Sequence, residues 1–163
     1  MKNILEKLTN SIENLKSIKT SSNLYMNDMI TAKKLNKHSS YASLNNEEKP
    51  LIMVDYYLFL FGMPSGILIT DQHLYYKCMK KTAMFKDLTM PFNTTTGKIA
   101  LEDINEIFIG NHLIGGMQPQ YIGHELIING YALGYVRMGG GMTWSDELIN
   151  NLNIIFKAFN RDE

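Results

Sequence analysis

A chain of 163 residues, 45% hydrophobic and 20% charged, has the size and composition of one globular domain with a small appendage. Its 16 basic and 16 acidic residues cancel, which argues against a nucleic-acid partner because such binding needs excess positive charge. The single cysteine, Cys78, excludes an intramolecular disulfide and a cysteine-based zinc site, and it is typical of a reducing, cytoplasmic location.

The N-terminal part of the chain has helical periodicity. Apolar residues recur at three- and four-residue steps up to about residue 19: Ile4, Leu5, Leu8, Ile12, Leu15 and Ile18. After a polar break at residues 20–23, a second helix is expected from about Leu24 to Leu35. The two form a predicted helical hairpin whose apolar faces pack on the rest of the domain or on a second copy of the chain. A membrane-surface helix is the less favoured alternative, since the first helix has no aromatic residue.

Neither a signal peptide nor a transmembrane helix is expected, because no apolar run near the N-terminus or elsewhere is long enough. Residues 37–50 are polar and end in proline, which predicts a boundary. We therefore divide the chain into an N-terminal helical segment and linker, residues 1–49, and a second domain, residues 50–163. His38 and Tyr41 are interpreted as linker residues.

From Leu51 onward the pattern is typical of strands. Leu51 to Phe61 is the first predicted strand, and Asp55 within it is expected to face solvent or to mark a bulge. A long loop is expected at residues 80–97. Six further strands are predicted at about residues 66–71, 73–79, 98–101, 104–109, 121–128 and 131–138. Asn129-Gly130 between the last two is the strongest hairpin signal in the chain.

The last predicted element is an amphipathic helix. Thr143 is the expected N-cap, and Asp146 and Glu147 complement the helix dipole in the first turn. Trp144 is expected to pack on the sheet rather than to bind a ligand. The apolar face consists of Leu148, Ile149, Leu152, Ile155, Phe156 and Phe159.

Two stretches, SGILITDQHLYYK at residues 65–77 and KIALEDINEI at residues 98–107, resemble the bacterial pleckstrin-homology-like (PH-like) family, which is close to GRAM-type domains. In that family a G-hydrophobic-T-D-x-x-hydrophobic-Y strand pair precedes an I-x-L-x-D-I strand and corner. The resemblance covers roughly residues 50–160. It implies an α+β fold, namely an antiparallel β-barrel or sandwich of about seven strands capped by a C-terminal α-helix. Here the helical hairpin would precede it.

The best candidate for anion binding is a cluster of lysines after the second hairpin strand: Lys77, Lys80, Lys81 and Lys86. Such a cluster attracts anionic lipid headgroups, but lysines also protect sheet edges against aggregation. Many phosphoinositide-binding PH domains carry a basic motif on the first hairpin loop. The matching connection, residues 62–65, has no positive charge here.

Catalytic and metal-binding patterns are not expected. His73, His112 and His124 lie on three elements without ligand spacing, so we predict no metal site and no cofactor. The motifs of the PH-like resemblance carry no catalytic chemistry, and no nucleophile–base constellation stands out. The chain is predicted not to be an enzyme.

These observations predict a non-catalytic PH-like binding module that mediates protein–protein interaction or assembly in the bacterial cytosol. Its protein partner is unknown, and self-association through residues 4–35 is one route. The alternative is peripheral membrane attachment, with anionic lipid headgroups bound by the Lys77–Lys86 loop. No nucleic-acid partner is expected.

Overall fold

The computed structural model describes residues 2–16, 23–58, 63–80, 94–115, 120–139 and 143–160. Its elements are, in chain order, α1 (Lys2–Lys16), β1 (Leu24–Met26), α2 (Ala32–His38), β2 (Pro50–Leu58), β3 (Met63–Thr70), β4 (His73–Met79), β5 (Thr94–Ala100), β6 (Ile107–Gly115), β7 (Gln120–Ile128), β8 (Tyr131–Val136) and α3 (Asp146–Phe156). Short 3₁₀ turns occupy Asn27–Met29 and Leu101–Asp103.

The eight strands form one antiparallel sheet that curls into a half-barrel, so the predicted α+β class and the C-terminal helix are confirmed. The strand order is β1-β2-β3-β4-β8-β7-β6, and β5 pairs with β4. Two meanders, β2–β5 and β6–β8, meet where Met79 at the end of β4 lies opposite Tyr135 of β8. Within the described residues, β6 therefore ends one side of the sheet and the three-residue β1 ends the other.

The core lies on the inner side of the curled sheet, between the strands and the two longer helices. Both predicted apolar helix faces are buried there, and α1 contacts α3. On these two helices, the side chains that are at most 1% exposed are Leu8, Ile12 and Leu15 of α1 and Leu148, Leu152, Ile155 and Phe156 of α3. Helix α3 begins later than predicted, because Ser145 rather than Thr143 accepts the hydrogen bond from the Leu148 amide.

Both predicted hairpins are confirmed. In the β7–β8 hairpin, Asn129 and Gly130 have φ of 52° and 80°, as a type I′ turn requires. The Asn129 side chain also donates to the Asp103 carbonyl at 2.7 Å, which ties the hairpin to the preceding 3₁₀ turn.

In the β3–β4 hairpin, the Thr70 hydroxyl accepts from the amides of Gln72 and His73. The Thr70 side chain therefore stabilises the turn around Asp71.

The predicted second helix over Leu24–Leu35 is wrong in its first part. Leu24–Met26 is a strand that pairs with β2, Tyr25 lying opposite Met53. Leu24 and Met26 are buried while Tyr25 between them is half-buried, which is the two-residue period of a strand. The helix, α2, begins only after its N-cap Thr31. Consecutive helices that could form the predicted hairpin are therefore not observed among the described residues.

The predicted linker is a packed part of the structure. Residues 27–49, which we call the cover segment, lie over the outer face of β2–β4. There Tyr41 and Ala42 belong to one apolar cluster with Met53, Leu68 and Tyr75. Interpreting Tyr41 and His38 as linker residues is therefore wrong, because both are buried. The division at residue 49 stays a prediction about folding units.

Strand β6 is longer than predicted. The sequence predicts a strand over about residues 104–109, whereas β6 begins at Ile107 and continues to Gly115. A bulge between Ile109 and His112 interrupts its register with β7, which explains why simple alternation of side chains does not reveal the whole strand. In the described part of the chain, no helix has the length and apolar character required to span a bilayer.

Candidate functional site

Two of the four predicted anion-binding lysines lie within the described residues. Lys77 is partly buried in β4, and Lys80 is exposed just after that strand ends. Lys81 and Lys86 lie outside the described residues.

Lys80 borders a cavity of about 360 Å³ where the two meanders meet. The cavity is lined by Lys80, Thr95, Glu125, Ala132, Leu133, Gly134 and Tyr135. The Tyr135 hydroxyl donates to Glu125 Oε1 at 3.2 Å, and burial together with the charge of Glu125 raises the pKa of Tyr135. An anion near Lys80 would therefore also meet the Glu125 carboxylate, which weakens the electrostatic case for headgroup binding in this cavity.

Glu48 is a buried carboxylate that the sequence interpretation missed. It lies at the end of the cover segment, and its side chain is fully shielded from solvent. The Tyr75 hydroxyl lies 2.9 Å from each carboxylate oxygen, and Thr70 Oγ1 donates to Oε2 at 3.1 Å. Lys98 Nζ approaches Oε1 at 3.4 Å. These contacts fasten the cover segment to β3, β4 and β5.

The ionised form of Glu48 is favoured despite its burial. Burial alone would raise the pKa of the carboxyl, but the hydrogen bonds from Tyr75 and Thr70 and the charges of Lys98 and His73 lower it overall. His73 Nδ1 lies 3.2 Å from Oε1, yet this contact lacks hydrogen-bond geometry. We therefore treat His73 as a neighbour of the carboxylate rather than as one of its hydrogen-bond donors.

A second buried carboxylate, Asp55, connects β2 to the cover segment. His38 Nε2 lies 2.8 Å from Asp55 Oδ1, and His38 Nδ1 lies 2.8 Å from the Tyr41 hydroxyl. The expectation that Asp55 faces solvent or marks a bulge is wrong, because it is buried and lies opposite Gly66 in regular register. The hydrogen bond from His38 holds the pKa of Asp55 below its ordinary value.

The Asp55–His38–Tyr41 arrangement has the order of groups found in some acid–base sites, but its burial opposes that role. His38 is fully buried, and the pKa of Tyr41 is raised chiefly by burial, so its hydroxyl keeps its proton. A substrate could not reach the imidazole without displacing the cover segment. The geometry therefore favours a structural role, in which a buried acid is satisfied by a buried partner.

Aromatic rings gather where β6, β7 and the start of α3 meet. His112 and His124 lie opposite each other in the β6–β7 register, with ring centroids 5.6 Å apart. Trp144, the single tryptophan, stacks on His112 with centroids 4.4 Å apart, and its Nε1–H donates to Asp146. The expectation that Trp144 packs on the sheet is confirmed. We call these four residues the His–Trp cluster.

The structure thus brings together His112 and His124, two of the three histidines that the sequence analysis assigned to three separate elements. His73 lies instead beside Glu48, in a different part of the sheet. Across the described residues, no group of three or more His, Cys, Asp or Glu side chains is arranged to hold a metal ion. Only the strand register could have revealed the pairing of His112 and His124, because they lie on different strands and share no ligand spacing in the sequence.

The edge strand β6 exposes apolar side chains. It pairs with β7 on one side, and no described strand pairs with its other side. Its nine residues, IFIGNHLIG, contain no Lys, Arg, Asp, Glu or Pro, the residues that commonly protect sheet edges. Phe108 and Ile114 are 38% and 48% exposed. By contrast, β1 has only three residues and β5 carries Lys98.

Comparison with protein-family models, curated proteins and solved structures finds no match to this chain.

Proposed function

We propose that this chain is a non-catalytic module for protein–protein interaction, and that it binds an extended segment of its partner along the edge strand β6. The observation that carries the proposal is the uncharged, apolar edge described above. An added strand would pair with the outward backbone N–H and C=O groups of β6. Phe108 and Ile114 would supply side-chain contacts at the two ends of that strand.

Strand β6 lacks the charged residues and proline that commonly protect a sheet edge. Sheet edges in monomeric proteins are usually shortened, charged or covered, because an open edge pairs with other chains. Two irregularities interrupt the register of β6 with β7, between Ile109 and His112 and between Leu113 and Ile114, and the strand still exposes the apolar side chains of Phe108 and Ile114. A partner that covers this long, uncharged edge would provide the protection that its own residues do not.

The PH-like resemblance supports the same class of function, since PH-like domains present strand edges and loops to partners. Two antiparallel meanders followed by a C-terminal helix agree with the order of elements in that family. The cover segment over β2–β4 is an addition to that pattern. It covers one face of β2–β4, which leaves the second meander, with its edge strand β6, as the more accessible part of the sheet for a partner.

The experiment compares capture of partner proteins from the source organism by three forms of the full chain. Phe108→Lys/Ile114→Lys places two charges on the edge, and Tyr131→Lys is the matched control because Tyr131 is 74% exposed but lies on β8. We expect wild type and the control to capture the same proteins and the edge variant to lose them. Equal capture by all three forms would overturn the proposal.

Self-association through residues 4–35 is a narrower form of this proposal. The buried side of α1 packs within its own chain, so a second copy would have to use exposed residues such as Met29, which is 49% exposed. Light scattering after size exclusion separates the two routes. A dimer that persists in Met29→Lys but dissociates in Phe108→Lys/Ile114→Lys indicates the β6 edge, and the reverse indicates residues 4–35.

Membrane attachment through Lys77, Lys80, Lys81 and Lys86 is the less supported alternative, because Glu125 borders the same cavity as Lys80. Flotation with vesicles of neutral lipid, with and without phosphatidylserine, tests it. We expect no flotation with either composition, since the chain has no net charge. Flotation that requires phosphatidylserine and is lost in Lys80→Glu/Lys81→Glu would establish the alternative.

A further inference from the structure

The His–Trp cluster contains two imidazoles that strand pairing brings side by side. His112 and His124 are opposite residues on the adjacent strands β6 and β7. Their ring centroids lie 5.6 Å apart and the ring planes are inclined by 53°. His112 is exposed and His124 is buried, so the pair is open to solvent from the His112 side.

This separation fits a shared metal ion. Two imidazoles that each bind zinc at about 2.0–2.1 Å, with a near-tetrahedral angle between the bonds, have ring centroids roughly 5–6 Å apart. The observed 5.6 Å lies within that range. The strand pairing therefore places the two rings at a separation that is compatible with one ion between them.

An acidic side chain borders the two imidazoles. Asp146 lies close enough to act on His124 electrostatically, and it also accepts the hydrogen bond from Trp144. Its negative charge would partly offset that of a bound cation without serving as a third ligand.

We propose that His112 and His124 together bind one divalent ion of the imidazole-preferring class, such as Zn²⁺, Ni²⁺ or Cu²⁺. Imidazole ligands select these ions over Mg²⁺ and Ca²⁺, which prefer oxygen. With two protein ligands, water completes the coordination, so the ion is exchangeable rather than permanently held. The proposed metal site uses imidazole ligands, whereas the strand-addition surface uses backbone groups and apolar side chains. The two share strand β6, to which His112 belongs.

The single tryptophan provides the measurement. Trp144 stacks directly on His112, so a paramagnetic ion bound to that imidazole would quench the indole fluorescence. The full chain, without added histidines, is titrated with Ni²⁺. We expect saturable quenching at one ion per chain that EDTA reverses. Zn²⁺ should compete with Ni²⁺, and it should raise the melting temperature, because a ligand that binds only the folded state stabilises it.

Two variants separate this site from other binding. His112→Asn removes an exposed ligand with little risk to folding, and we expect it to weaken Ni²⁺ binding at least ~10-fold. His73→Gln is the matched control, since it removes a histidine from outside the cluster and should leave the quenching curve unchanged. The proposal is overturned if wild type shows neither saturable quenching nor a Zn²⁺-dependent melting shift, or if His112→Asn binds Ni²⁺ as tightly as wild type.

Discussion

At the scale of single residues, the two buried carboxylates explain why the cover segment lies on the sheet. Glu48 and Asp55 each accept hydrogen bonds from groups on the other side of this contact, Glu48 from Tyr75 and Asp55 from His38. A buried charge is tolerated only where such partners are present, and removing the partner is costly. The polar composition of residues 37–50 therefore reflects specific pairing as well as exposure to solvent.

We expect Glu48→Gln to lower the free energy of unfolding at neutral pH by about 1–3 kcal/mol, because charge-assisted hydrogen bonds to Tyr75 and Thr70 are weakened. Chemical denaturation measures this change. Glu47→Gln is the matched control, since Glu47 is the adjacent glutamate and is exposed. An equal effect of the two substitutions would contradict the role assigned to Glu48.

The same variant has a pH dependence of known sign. Because the folded-state pKa of Glu48 is lowered, its carboxylate stabilises the fold above the ordinary pKa of a glutamate, and this contribution is lost as pH falls through the lowered value. The difference between wild type and Glu48→Gln should therefore be largest near neutral pH and shrink below about pH 4. A difference that grows on acidification would show that the sign is wrong.

At the scale of elements, the β2–β3 pair depends on a close approach of two backbones. Gly66 has φ of +137°, and a Cβ atom there would lie 1.9 Å from the Val54 carbonyl oxygen. Glycine is required at this position both for the conformation and for the space. The position also lies opposite Asp55, so a displacement of β3 here would disturb the buried Asp55–His38 pair.

We expect Gly66→Ala to destabilise the protein by more than the roughly 1–3 kcal/mol that an unfavourable backbone conformation alone costs. Gly130→Ala is the control, because Gly130 also has positive φ but has no atom within 4 Å of the point that a Cβ would occupy. Thermal unfolding of the two variants separates the steric from the conformational cost. Similar melting temperatures would mean that Val54 moves away easily.

At the scale of the whole molecule, α1 belongs to the same core as the curled sheet and α3. Its three most buried side chains, Leu8, Ile12 and Leu15, lie in one apolar cluster with residues of the strands. The first helix is thus joined to the rest of the chain by packing. This matters for function, because the apolar side of α1 is not available to a partner.

We expect Leu8→Ala to lower the free energy of global unfolding by about 2–5 kcal/mol, the range for a large-to-small change in a core. Glu6→Ala on the exposed side of the same helix should change it by less than about 0.5 kcal/mol. Denaturant unfolding followed by both Trp144 fluorescence and circular dichroism tests this. If α1 were an independent unit, Leu8→Ala would leave the Trp144 transition unchanged.

Local sequence signals predicted much of this fold. Asn129-Gly130 specifies its turn because few other residues adopt positive φ at both positions, and the apolar periods of α1 and α3 specify which helix faces are buried. These features depend only on residues that are close together in the sequence, so the amino-acid sequence is enough to predict them. They account for the α+β class, both hairpins and the C-terminal helix.

Tertiary structure alone decided the features that depend on distant partners. Leu24–Met26 is a strand because it pairs with the edge of β2. His38 is buried because its imidazole is hydrogen-bonded to the buried carboxylate of Asp55, 17 residues further along the chain. His112 and His124 meet only through the register of β6 and β7. The candidate sites belong to this second group because strand pairing and burial join residues that sequence spacing does not relate.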